Sequence, residues 1–224
     1  MRKQQSDTPA GLSWNSGELS LVDTPLRALQ AQITEIPNVF TAAECSRISG
    51  QAETVGLSAQ KYNDASRAQP RARTNLSDES LVKTIWTRIC DRVPPLEQIY
   101  ARHSPSQPPS DVSHADYAPV GVNPFLRVYR YDVGTRFPPH EDTPYIAPDG
   151  QRSFLTVLLY LNDEFSGGET IFYVDHKDST VGSIAIHPKA GAVVIFPHEL
   201  WHEGTEITAG WKYVMRTEVM YARK

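Results

Sequence analysis

His140, Asp142 and His202 form a set able to hold a metal ion. In the triplet His140–Glu141–Asp142 an imidazole and a carboxylate stand two residues apart, and on an extended backbone such a pair points to one side. His202 follows later in the chain, just past the apolar run 192–196. Two imidazoles and one carboxylate on one side of a metal leave coordination positions open, the pattern with which non-haem Fe(II) binds O2. Lys212 heads the next apolar run. A cation facing a metal pocket needs an anionic partner, and a dicarboxylate cosubstrate would supply one.

Each of these residues also has a plainer reading. His140 by itself reads as a surface histidine at a strand end, and it is the ordered set with Asp142, His202 and Lys212 that makes coincidence a poor explanation. His198 rivals His202, because His198 and His202 would align on a helix. Pro197 and the preceding β-branched run argue against a helix there, so His198 reads as a supporting residue. Glu141 points away from the metal on a strand, and Glu203 reads as a turn or supporting residue. Arg216 shares a strand face with Lys212. It is either a second anion anchor or a structural partner of Glu218 or Asp142, and the structural role is favoured.

The elements that must position these residues follow from the rest of the chain. With 224 residues, 40% of them hydrophobic and 21% charged, the chain reads as one ordinary globular domain with a short extension. A net charge of −4 gives no electrostatic footprint for nucleic acid or an anionic membrane, and no apolar run reaches transmembrane length. The polar N-terminus lacks an apolar signal core, and Cys45 and Cys90 form no C-x-x-C pair. A reducing, cytoplasmic setting is therefore expected.

Residues 1–30 lack periodicity and are expected to be a flexible extension, with a single domain over 31–224. Within the domain, the expected parts are a helical preamble over 31–100, a loop over 101–120 and a β core over 121–224. Ile33–Pro37 reads as a first strand. Thr41 and Glu44 have capping-box spacing, predicting a helix to Val55 that Gly56 ends. The polar segment 57–77, with Arg67, Arg71, Arg73 and Asn75, is either a solvated loop or a flap that touches substrate. A second helix is expected from Ser77 to Pro94. The Pro- and Ser-rich segment 101–120 reads as a long loop of the kind that carries function. From Asn123 onward, short runs at 125–133, 153–161, 170–175, 183–187, 192–197 and 212–221 alternate with turn residues. Gly167 and Gly168 supply one such turn, ahead of a strand over 170–173. This spacing predicts a jelly roll. The fold class is α+β, a double-stranded β-helix core with N-terminal helices packed on one sheet.

Five stretches, NPFLRVYRYDVGTRFPPHED, SFLTVLLYLND, FSGGETIFY, HPKAGAVVIFPHELWHEG and GWKYVMRTEVMY, resemble in order the catalytic domain of the prolyl 4-hydroxylase family of Fe(II)- and 2-oxoglutarate-dependent dioxygenases. The likeness covers most of residues 33–221. It implies that His140, Asp142 and His202 hold Fe(II), and that Lys212 pairs with the distal carboxylate of 2-oxoglutarate. It implies further that Tyr131 lies beside that cosubstrate, that Thr156 is a hydroxyl contact to it, and that O2 is the oxidant, with ascorbate as an accessory reductant. The carboxylate at Asp142 argues against a halogenating relative, which gives up that ligand to make room for halide.

The implied reaction is hydroxylation of an unactivated C–H bond, with a prolyl residue of a peptide or protein as the leading substrate and succinate and CO2 released. Two alternatives stand beside it: a small-molecule or biosynthetic oxygenase, and a cupin-like metal-binding module in which Lys212 is only a surface cation. The expected partner is thus a peptide, protein or small-molecule substrate, with no nucleic acid and no membrane.

Overall fold

The computed structural model describes residues 23–59, 72–100, 113 and 116–224. Helix α1 (Asp23–Gln32) opens the described chain, inside the stretch expected to be a flexible extension. Leu29 is fully buried and Gln32 donates to the Ile99 carbonyl, so tertiary docking holds it.

Strand β1 (Thr34–Ile36) leads to helix α2 (Ala42–Val55). Both halves of the Thr41–Glu44 capping box are formed, and Gly56 ends the helix at φ +97°, a conformation open to glycine. Helix α3 (Glu79–Ile89) begins two residues later than Ser77, because Asp78 is the residue that caps it by accepting from the Leu81 N–H. It ends before Pro94, passing into a 3-10 turn over Cys90–Arg92. The short helix α4 (Leu96–Ile99) completes the helical part.

The segment 57–77 is not a loop throughout. Strands β2 (Ser58–Ala59) and β3 (Ala72–Leu76) pair with each other, and β3 pairs with β5 (Leu126–Asp132). Arg73 and Asn75 therefore sit on a strand, while Arg67 and Arg71 fall outside the described residues. The end of the expected 101–120 loop is likewise strand, β4 (Tyr117–Val122), and most of the rest of that loop lies outside the described residues.

The core is a jelly roll. Its larger sheet also contains β7 (Arg152–Tyr160), β11 (Val193–Pro197) and β14 (Trp211–Arg223), in the order β1-β11-β7-β14-β5-β3-β2, with β4 on β14. The smaller sheet runs β10-β9-β12-β6, from β6 (Phe137–His140), β9 (Thr170–Tyr173), β10 (Ser183–Ile186) and β12 (His202–Gly204). A ribbon of β8 (Ser166–Gly167) and β13 (Ile207–Ala209) lies beside them.

Strand alternation divides the apolar residues of the larger sheet into two cores. Val128, Leu155, Val157, Leu159, Val193, Ile195 and Met215 face the helices, where they meet Cys45, Ile48, Ile85 and Ile89. Tyr129, Tyr131, Tyr160, Val194, Phe196 and Val214 face the smaller sheet and its Phe172. The candidate site opens in this second, inter-sheet layer.

Candidate active site

His140 ends β6 and His202 begins β12, and the two residues are register partners across those strands. Their rings lie 4.3 Å apart. Each Nδ1 lies 2.8 Å from the carbonyl two residues earlier, Pro138 for His140 and Leu200 for His202. A carbonyl can only accept, so each Nδ1 carries the proton and each Nε2 presents its lone pair inward. Phe137 packs under His140, and Phe172 and Phe196 hold His202.

Asp142 completes the cluster. Its Oδ1 is 3.6 Å from His140 Nε2, and its Oδ2 is 3.9 Å from His202 Nε2. One donor atom from each of the three residues lies within 4.8 Å of the other two. His140 Nε2 is buried with no hydrogen-bond partner among the described residues. A buried, orphaned imidazole nitrogen aimed at a carboxylate and a second imidazole is costly unless something is bound between them. Two nitrogens and one carboxylate suit Fe(II), so the residues fit the metal that the sequence implied.

The electrostatics favour the ligand-ready states. Burial opposes ionisation of Asp142, but the Arg216 guanidinium outweighs it, helped by the two imidazoles, and the carboxyl stays well below the usual carboxylate range. Burial lowers His202 to about 4, with Asp142 opposing the shift. Neutral imidazole and ionised carboxylate are the forms that coordinate a metal.

Arg216 Nη2 lies 3.1 Å from Asp142 Oδ1 and 3.5 Å from Glu218 Oε1, so it is paired with both carboxylates that the sequence had named as structural partners. Glu218 is itself buried and is also held by Arg127 and Asn123.

Lys212, Val214 and Arg216 line one wall of the pocket along β14, with Tyr131 and Tyr129 beside them on β5. Lys212 is buried at 5% exposure, sits over the Tyr160 and Tyr131 rings and donates to the Gly168 carbonyl at 2.6 Å. Burial lowers its ammonium to about 7, with Glu169 pulling the other way. Gly168, at φ +71°, brings its backbone so close that a Cβ there would press on Ile207, Phe165 and Lys212. Tyr131 stands beside Lys212, as its strand register requires.

Thr156 does not face the pocket space as expected. It is fully buried, and its hydroxyl donates to Asp142 Oδ2 at 2.6 Å while contacting His198 Nδ1 at 2.9 Å. His198 is also in contact with Ser153, and burial lowers it to about 3. Ser153 went unread in the sequence, as did the phenylalanines around the imidazoles. Glu203 accepts from the Tyr173 hydroxyl, and Glu141 is exposed. Of the remaining histidines, His176 and His187 lie away from the triad beside Asp175 and Glu169. His103 and His114 fall outside the described residues.

Residues 126–217 match the model of the 2OG-Fe(II) oxygenase superfamily. An Arabidopsis thaliana protein described as probable prolyl 4-hydroxylase 11 is 32% identical over 85 residues, 38% of this chain and 29% of its own length. A PKHD-type hydroxylase of Shewanella baltica is 26% identical over 189 residues, 80% of this chain and 73% of its own. The chain thus spans less than a third of the first plant relative. A Pseudomonas putida prolyl-4-hydroxylase structure superposes with TM-score 0.58 at 12% identity, covering 91% of this chain and 99% of that one. A viral collagen prolyl hydroxylase from Paramecium Bursaria Chlorella virus-1 gives TM-score 0.55 at 17% identity, covering 86% and 97%.

The jelly roll, the triad and the match over residues 126–217 make the chain similar to 2OG-Fe(II) oxygenases, a class that works with Fe(II), 2-oxoglutarate and O2. The chain's fold is similar to that of solved prolyl hydroxylases, and part of its sequence is similar to plant proteins described as prolyl 4-hydroxylases.

Proposed function

We propose that this chain hydroxylates an unactivated C–H bond, with a prolyl residue in a peptide or protein as substrate. His140, Asp142 and His202 would hold Fe(II), and Lys212 would receive the distal carboxylate of 2-oxoglutarate. Bound together, Fe(II), 2-oxoglutarate and O2 supply an oxidant strong enough to functionalise such a bond, with succinate and CO2 as coproducts.

The single observation that carries this reading is the buried ammonium of Lys212 in the same pocket as the triad, held by the Gly168 carbonyl. A surface cation on a plain metal module would have no reason to be desolvated there. The protein's own residues then do four things. Lys212 neutralises the incoming carboxylate. Tyr131 and Leu158 exclude water from the pocket. Carbonyls of Pro138 and Leu200 fix the imidazole tautomers, and Arg216 keeps Asp142 ionised. The prolyl substrate rests on the named relatives, the plant and viral prolyl hydroxylases and the PKHD-type hydroxylase.

The test is anaerobic titration with Fe(II) and then 2-oxoglutarate, followed by the visible charge-transfer absorption of the chelated keto acid. The band should form with the native protein and vanish in His140→Ala. Iron binding without the band would remove the cosubstrate assignment and return the metal-module reading. Succinate release over proline-containing peptides and free metabolites, with ascorbate present, then separates the prolyl reading from a small-molecule oxygenase.

A further inference from the structure

Behind Asp142 lies a row of polar groups whose hydrogen bonds can run in only one direction. The Tyr145 N–H donates to Ser153 Oγ at 2.8 Å. Ser153 Oγ is 2.8 Å from His198 Nε2, His198 Nδ1 is 2.9 Å from Thr156 Oγ1, and Thr156 Oγ1 is 2.6 Å from Asp142 Oδ2. An ionised carboxylate only accepts, so the Thr156 hydroxyl proton points at Asp142. Thr156 must then accept from His198, which places the imidazole proton on Nδ1. His198 Nε2 is left as an acceptor, and Ser153, already accepting from the backbone, donates to it. Every proton in the row is donated once, and Ser153, Thr156 and His198 are each fully buried.

The fold makes a local exception to bring this row together. Ser153 and Thr156 are three residues apart on β7, so regular alternation would put them on opposite faces. The pairing of β7 with β14 slips by one residue, Leu155 opposing Val219 but Ser153 opposing Met220. Phe154 and Leu155 consequently both enter the helix-side core, and Ser153 returns to the face of Thr156. Bulges of this kind re-aim side chains beside functional sites.

We propose that Ser153, His198 and Thr156 are positioning residues, a polarised hydrogen-bond relay that fixes the orientation of the Asp142 carboxylate for its metal. Arg216 holds the other oxygen, so the carboxylate is set before a metal arrives. The proposal rests on the metal-site reading above and adds the means by which its one anionic ligand is aimed.

The test is Co(II) binding to the metal-free protein, read by the affinity and by the position of the visible ligand-field bands, with no turnover required. Thr156→Val should weaken Co(II) binding about 10–100-fold, the range for partners of metal ligands, and shift the bands. Thr156→Ser, which keeps the hydroxyl, should restore both. Ser153→Ala touches no ligand, yet it frees His198 to take the other tautomer and draw the Thr156 proton away from Asp142. The bands should therefore shift in this variant too, with the metal-free fold intact by near-ultraviolet circular dichroism. Native affinity and bands in both Thr156→Val and Ser153→Ala would overturn the relay and leave the oxygenase reading standing. A native protein that binds no Co(II) would overturn both.

Discussion

Burial lowers the Lys212 ammonium to about 7, so a dicarboxylate arriving there meets a group balanced between two protonation states. Below that pH the ammonium is already charged, and affinity for 2-oxoglutarate should be level. Above it each bound anion must bring a proton, and affinity should fall by about tenfold per pH unit until the complex itself titrates. Dissociation constants on the Mn(II) form across neutral to alkaline pH would check this, and Lys212→Met should bind weakly with no such slope. Arg216 makes a different prediction. It pairs with both Asp142 and Glu218, and Arg216→Met leaves two buried carboxylates short of a partner. The metal-free protein should lose about 3–5 kcal/mol in urea unfolding. The triad and Lys212 were legible in the sequence because spacing and charge are visible there. The true partner of Thr156 was not, because the role expected of it depended on which wall of the pocket its hydroxyl faces.

Among the elements, α2 was legible almost to the residue, since its start and stop are written in local chemistry, Thr41 and Glu44 at one end and Gly56 at the other. Thr41→Ala should cost about 1 kcal/mol, read by the urea midpoint. The turn ahead of β11 is a harsher case. Gly191, at φ +80°, accepts from the N–H groups of Val39 and Phe40, and an added Cβ would collide with the Phe40 carbonyl. Gly56 has open space around it. Gly191→Ala should therefore destabilise the protein more than Gly56→Ala, although both positions need a left-handed backbone. Strands β6 and β12, which deliver the two imidazoles, went unread because three or four residues are too few to show a period. The bulge in β7 was equally hidden, because a residue count on one strand says nothing about its partner's.

For the molecule as a whole, the site is held by both sheets at once: the imidazoles come from the smaller, and Arg216, Lys212 and Thr156 from the larger. A metal bound to the folded site and not to the unfolded chain should stabilise the whole domain. Excess Mn(II) at about a hundred times its dissociation constant should add about 2.7 kcal/mol, seen as a higher melting temperature, and Asp142→Ala should abolish the gain. The order of strands was legible only as a class. Alternating runs announce a jelly roll, whereas α1 and the pairing of β3 onto the sheet depend on contacts between residues far apart in sequence.

Strand β14 runs unbroken for 13 residues, with Lys212 near its start and Arg216 and Glu218 further along the same face. Those three side chains share a parity, and parity is what a change of length destroys. Substituting Met215 asks only whether another side chain fits the helix-side core. Deleting it would put Lys212 and Arg216 out of step, so that one of them must turn toward the helices whichever end keeps its place. The strand should thus accept many spellings but only one reading frame of faces, and a library of single-residue deletions across 212–218 should contain no member that both folds and retains 2-oxoglutarate.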